Sequence, residues 1–259
     1  EKLGAHAKDL GVRIGTINSN TFQDDDYKLG SVCHPDAKVR QKAVDHLFEC
    51  IEIMNKTGVQ DLKLWFADGT NYPGQDSIRD RQARLSDSLH KVYARLEKHQ
   101  RLLLEYKFFE PAFYTTDVPD WGTSFAHCME LGPQAMVVLD TGHHAPGTNI
   151  EFIVMMLLRL KKLGAFDFNS RFYADDDLIV GAGNDQVPVL IVQRSRQKIA
   201  LLKYVLVHRR GVFNSAARLE TIAVVSRAPC YRTTHHVKSV RSGQLEFTSR
   251  LDVHGHYCR

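Results

Sequence analysis

Carboxylate and imidazole side chains recur in this 259-residue chain at spacings that suit metal chemistry. The run Leu139-Asp140-Thr141-Gly142-His143-His144 ends an apolar segment in a carboxylate, with an imidazole three residues on, so that oxygen and nitrogen ligands can converge where the chain leaves a sheet. Two adjacent histidines cannot point the same way, which favours His143 inward and His144 in support. The alternative is that Asp140 caps the following turn and one histidine is superficial. In Leu104-Glu105-Tyr106-Lys107 the period of two puts Glu105 and Lys107 on one face. In an interior such charges must either pair or ligate. Asp167 and Asn169 precede the acids Asp175, Asp176 and Asp177, which read either as a solvated stretch or, through Asp175 and Asp177, as further ligands. Glu105, Asp140, His143, Asp167, Asp175 and Asp177 together would form an oxygen-rich site suited to Mn2+, Mg2+ or Co2+ rather than to a thiolate-demanding ion. The loop from Trp65 to Gly74 offers an aromatic platform beside hydrogen-bonding groups, although any one aromatic there, Trp65 included, reads more readily as core than as platform. The polar segment from Asn18 to Tyr27 adds hydroxyl and amide groups that fit a polyol better than an apolar substrate.

Positioning these residues requires strand ends. Short apolar segments are predicted as strands over residues 13–18, 62–66, 102–108, 136–139 and 166–169. Helical patterns alternate with them: one opened by Pro35-Asp36 and stopped near Gly58, one from about Asp76, one around Phe125 to Leu131, and one capped by Asn149 that runs to Leu160. Strand–helix alternation at this spacing is the pattern of a parallel sheet. About five βα units of a (β/α)8 barrel are expected, a partial TIM barrel, with the chemistry at the C-terminal strand ends.

The totals are less informative than their distribution. Of 34 basic and 30 acidic residues, residues 184–259 hold 13 and 4, leaving 21 and 26 in residues 1–183. The basic excess therefore belongs to the C-terminal stretch, and the first 183 residues are net acidic, which speaks against nucleic acid as a partner. The longest apolar run, Phe152 to Leu160, is about half of what a bilayer requires, so no membrane partner is expected. Five scattered cysteines without a CxxC pair argue against a disulfide framework and point to a reducing cytoplasm. Glu1 is not an initiator methionine, and the chain is expected to open within a helix already under way. After Gly183 the alternation stops. Residues 1–183 are read as a partial barrel domain, and residues 184–259 as a basic tail of out-of-frame or appended origin, with strands conceivable at Leu190–Val192 and Leu201–Val207.

Five collinear motifs, NSNTFQDDDYKLGS (18–31), LKLWFADGTNYPGQD (62–76), LLEYKFFEPAFYTTDVPDWG (103–122), VLDTGHHAPGTNIEF (138–152) and NSRFYADDDL (169–178), resemble bacterial L-rhamnose isomerases of the xylose-isomerase-like superfamily. The resemblance runs from about residue 10 to residue 183. It implies a metal-dependent aldose–ketose isomerase that interconverts L-rhamnose and L-rhamnulose by a 1,2-hydride shift. It also implies a homotetramer in the full-length family member and two divalent ions, Mn2+ first, with Mg2+, Co2+ or Zn2+ as alternatives. Glu105 and Asp140 would hold the first ion, which also binds two sugar oxygens. His143, Asp175 and Asp177 would hold the second, catalytic ion. Lys107 would hydrogen-bond the carbonyl end of the substrate, and Trp65 would line the pocket, with His143 also facing the sugar.

The chain departs from that pattern in three places. Asp167 stands where the family is expected to have a metal-binding histidine. A Leu-Asp-Gln-Cys-His type motif, expected on the eighth strand, does not occur after Gly183, and the first two strands would precede Glu1. These departures predict weak or no activity for the isolated chain. The competing readings are a catalytically incompetent piece of such an enzyme, a related TIM-barrel sugar epimerase, and an apurinic-site nuclease, the last disfavoured by the acidic first 183 residues.

Overall fold

The computed structural model describes residues 2–11, 14–66, 74–109, 116–167, 169–170, 178–179, 224–225, 232–241 and 244–252. The chain divides into two compact units, Glu1–Ser195 and Arg196–Arg259. The division expected at 183/184 falls among residues outside the described set.

In the first unit, helix α1 (Lys2–Asp9) precedes five strands: β1 (Thr16–Asn18), β2 (Asp61–Leu64), β3 (Arg101–Glu105), β4 (Ala135–Asp140) and β5 (Leu163–Asp167). All neighbours pair parallel in the order β1-β2-β3-β4-β5. Helices α2 (Ala37–Thr57), α3 (Ile78–Tyr93), α4 (Trp121–Leu131) and α5 (Ile150–Arg159) alternate with them, which makes the unit a partial TIM barrel of five parallel strands, the first four each followed by a helix.

Local chemistry sets each helix start. The side chains of Asp36, Ser77, Asp120 and Asn149 accept hydrogen bonds from the N–H groups of Lys38, Asp80, Thr123 and Phe152, satisfying donors that the first turn leaves unpaired. Gly58, in the left-handed region at φ 71°, ends α2 and donates to the Met54 carbonyl at 2.8 Å. On α2, Val44, Leu47, Ile51 and Met54 are buried as the helical periodicity predicts, while Phe48, expected on the same face, is half-buried. Full burial of each large apolar side chain there contributes about 1.5–3 kcal/mol.

Three strands differ most in extent from expectation: β1 begins at Thr16 rather than residue 13, β3 ends at Glu105 rather than residue 108, and β5 is shifted. β5 begins at Leu163 rather than Phe166 and ends at Asp167. Its first residues, Leu163-Gly164-Ala165, have no β-branched side chain, so intrinsic preference does not mark them; pairing with β4 recruits them. Gly164 is required by close approach, since a Cβ there would lie 2.6 Å from Met136 Cβ and 2.7 Å from Leu103 Cδ2. Just before β5, the buried Lys162 donates to the carbonyls of Cys128, Gly132 and Ala135 at 2.6–2.9 Å, joining the end of α4 to the start of β4. Two short strands, β6 (Asn169–Ser170) and β7 (Leu178–Ile179), pair antiparallel. No helix among the described residues is long and apolar enough to cross a membrane.

In the second unit, β8 (Val224–Val225), β9 (Arg232–Arg241) and β10 (Gln244–Asp252) form an antiparallel sheet in the order β10-β9-β8, with a register shift at Glu246/Phe247. The segments Leu190–Val192 and Leu201–Val207 lie outside the described residues.

Candidate metal centre

Strand register brings the charged residues together. In the parallel pairs Lys63 stands beside Leu103, Glu105 beside Val138, and Asp140 beside Asp167. With side chains alternating at a period of two, Lys63, Glu105, Asp140 and Asp167 all project from one face, at or near the C-terminal strand ends. The opposite face, with Leu62, Leu64, Leu102, Leu104, Val137, Leu139 and Phe166, is apolar and buried, as a sheet covered by helices requires.

Glu105, Asp140 and His143 are all buried, and each offers one ligand atom within 4.8 Å of the others. His143 Nδ1 lies 2.9 Å from the Tyr106 carbonyl oxygen and 3.2 Å from Glu105 Oε1. A carbonyl oxygen only accepts, so Nδ1 carries the proton and the Nε2 lone pair is left facing Asp140 Oδ2 at 3.7 Å. Asp140 is itself oriented: Oδ1 accepts from the Gly142 N–H at 2.7 Å and Oδ2 from Asn169 Nδ2 at 2.6 Å. The Thr141 hydroxyl donates to the Asn169 carbonyl at 2.6 Å, tying the end of β4 to the start of β6. His144 supports the site from behind, with Nε2 2.7 Å from the Tyr106 hydroxyl.

Burial pushes the Asp140 carboxyl up to about 7; His143 opposes this, while Glu105 and Asp167 add to it. Burial likewise raises Glu105, against the pull of Lys63 and His143. Two buried carboxylates that ionise reluctantly, beside an imidazole lone pair, form a donor set of the kind that suits a divalent cation. The residues present therefore fit such an ion.

The Trp65 ring centroid stands 6.4 Å from that of His143 with the planes at 28°, and the Phe22 ring meets Trp65 edge-on with centroids 4.8 Å apart. The Thr21 hydroxyl donates to the Trp65 carbonyl at 3.3 Å. Lys107 is buried two residues beyond Glu105, with its backbone N–H on the Val118 carbonyl at 3.1 Å. Asp167 carries its carboxylate on the shared face, where the Lys63 ammonium meets it. Asp175 and Asp177 lie outside the described residues. The polar 18–27 segment folds partly into a 3-10 helix, Asp25–Leu29, capped by Asp24. Asp24 and Asp26 are bridged by Lys42, so these acids serve the loop itself.

Sequence reasoning missed Lys63. Its ammonium lies 2.8 Å from Glu105 Oε2, where the sequence reading had offered Lys107 as the ion-pair partner. The signal was the alternation in Asp61-Leu62-Lys63-Leu64, which puts Lys63 on the face opposite the buried leucines. The Asn169 contact to Asp140 left no comparable trace, because it depends on how β5 leads into β6.

The sequence profile of the Xylose isomerase-like TIM barrel family matches residues 1–189. The chain belongs to this family. Among curated members of similar sequence, a protein named "Probable sugar isomerase" from Rhizobium meliloti (strain 1021) is 46% identical over 178 residues, which cover 67% of this chain and 41% of that protein. A protein of the same name from Mesorhizobium japonicum is 45% identical over 186 residues, covering 70% and 43%. The chain thus spans about two-fifths of the length of these relatives. Solved structures share the xylose isomerase-like fold at low identity. D-allulose 3-epimerase from Methylomonas sp. in complex with D-allulose superposes with a TM-score of 0.55 at 17% identity, over 73% of this chain and 62% of that one. The apo form of 3-keto-D-glucoside 4-epimerase from E. coli gives 0.53 at 15%, over 66% and 64%.

Proposed function

We propose that the chain carries the central part of a metal-dependent aldose–ketose isomerase acting on L-rhamnose and L-rhamnulose. The observation that supports this most is the buried set Glu105, Asp140 and His143, converging at the strand ends of a barrel whose curated relatives are named as sugar isomerases.

In the aldose-to-ketose direction a hydride moves from C2 to C1 and a proton from O2 to O1. Glu105, Asp140 and His143 Nε2 would hold a divalent ion, Mn2+ in the first instance, which when bound supplies Lewis-acid polarisation of the sugar oxygens. In the two-ion arrangement that the resemblance implies, His143 would instead pass to a second ion, with Asp175 and Asp177. Lys107 would donate a hydrogen bond to O1, where negative charge develops as the hydride arrives. Trp65, with Phe22 at its edge, would cover the sugar and exclude water. The tautomer set by the Tyr106 carbonyl turns the His143 Nε2 lone pair toward Asp140. The buried free thiols Cys33, Cys50 and Cys128 agree with a reducing compartment, and we take the place of action as the cytoplasm. A homotetramer belongs to the same proposal.

The test is turnover. A version extended to the full length of the relatives, given L-rhamnose and Mn2+, should produce the ketose, and Glu105→Gln or Asp140→Asn should abolish it. An epimerised sugar as the product would instead assign the site to the reaction class named for the solved structures. No product from any aldose would overturn the proposal.

A further inference from the structure

We propose that Lys63 is a built-in cation of this centre: it caps Asp167 and one oxygen of Glu105, so that a divalent ion is held by Glu105, Asp140 and His143 without Asp167 as a ligand. The inference rests on the reading of those three residues as the ion-holding set.

Three observations carry it. Lys63 rises from β2 on the shared face with its side chain 14% exposed, and its ammonium contacts both Glu105 Oε2 and Asp167 Oδ2. The two oxygens of Glu105 are thereby divided, Oε2 to Lys63 and Oε1 to the His143 side. Among the described residues Asp140, by contrast, accepts from the neutral donors Gly142 N–H and Asn169 Nδ2, with His143 Nε2 at 3.7 Å. Hydrogen bonds of that kind orient a carboxylate but leave its charge uncompensated, and an uncompensated buried charge is expensive. Among these four residues Glu105, Asp140 and Asp167 are three negatives and Lys63 is one positive, a net charge of two that a single divalent ion offsets. A further cation near Asp167 would lie against the ammonium.

Mn2+ binding to the full chain, followed by loss of the free-ion EPR signal, and the visible spectrum of the Co2+ form test this. Wild type and Glu105→Gln examine the underlying reading: no binding by wild type, or equal binding by both, sinks that reading and the inference with it. If the reading holds, Lys63→Met should bind Mn2+ about tenfold tighter, because one repelling charge is gone and Asp167 is released to ligate. In Lys63→Met/Asp167→Asn the original charge balance returns, so affinity should fall back to within about fivefold of wild type with an unchanged Co2+ spectrum. This variant strands Glu105 alone rather than Glu105 and Asp167 together, and it decides the matter if Lys63→Met does not fold. Unchanged or weaker binding by a folded Lys63→Met, as judged by circular dichroism, overturns the inference. So does a double variant more than about fivefold weaker, or one with an altered Co2+ spectrum, since either would make Asp167 a ligand.

Discussion

Replacing Arg81 by methionine removes the centre of a buried clamp beside the proposed site. From α3, Arg81 Nε and Nη2 donate to Asp117 Oδ1 and Oδ2, both at 2.7 Å, and Nη1 donates to the Leu29 carbonyl at 2.9 Å and to Asp76 at 3.2 Å. Arg81 and Asp117 are each 2% exposed, and the Cys33 thiol donates to the same Asp117 carboxylate at 2.7 Å. The adjacent Val118 carbonyl accepts the Lys107 N–H, so the clamp also steadies the chain just past Glu105. Without Arg81 the Asp117 carboxylate stays buried with its countercharge gone, a loss of about 3–5 kcal/mol. Replacing both partners, as in Arg81→Met/Asp117→Asn, removes the stranded charge and should restore the larger part of the loss. Urea unfolding followed by tryptophan fluorescence is a direct assay, because both tryptophans, Trp65 and Trp121, belong to the sheet unit. A loss below about 1 kcal/mol for Arg81→Met, the scale of a solvent-exposed pair, would refute the reasoning.

Two further outcomes follow from the geometry. The Asp140 carboxyl, raised by burial to about 7, must lose its proton to hold an ion. Mn2+ affinity should therefore fall as pH drops below about 7, by up to about tenfold per pH unit for this one proton, with proton release on binding detectable by calorimetry in buffers of different ionisation enthalpy. The ion-free protein should behave in the opposite sense. A folded-state pKa above the unfolded one gives a contribution to stability that is fully present at low pH and is lost as pH rises toward about 7, readable from thermal melts. Gly164→Ala should lower stability by about 1–3 kcal/mol, because its new methyl meets Met136 and Leu103 inside the sheet. A melting temperature equal to that of wild type would contradict that packing.

Much of this arrangement was legible in the sequence because the signals were local. Capping residues Asp36 and Asn149, the stop at Gly58, and the apolar run ending in Asp140 each mark an element boundary with its own chemistry. Glu105, Asp140 and His143 were legible for the same reason: strand ends in a parallel sheet converge wherever the helices between them have been recognised. Contacts that depend on register between distant segments were not legible. The Lys63 pairings span 42 and 104 residues, and nothing near Lys63 distinguishes it from a solvated strand lysine except its phase against Leu62 and Leu64. β5 was expected three residues late because Gly164 looks like a break in sequence, yet in the sheet it is a close contact. The paired strands β9 and β10 went unread in a region whose composition had suggested disorganisation. Their signal was the run of threonines and valines in Arg232–Arg241, followed by Ser242-Gly243, a turn-forming dipeptide, before Gln244.

The central claim is that Glu105, Asp140 and His143 form one divalent-cation centre. Equilibrium dialysis of the chain against Mn2+ near pH 8, wild type beside Asp140→Asn, tests it most directly. The account predicts saturable binding by wild type and at least about 100-fold weaker binding by the variant, since Asn keeps the shape but not the charge that burial leaves uncompensated. Equal binding by the two proteins, or none by wild type, would contradict it.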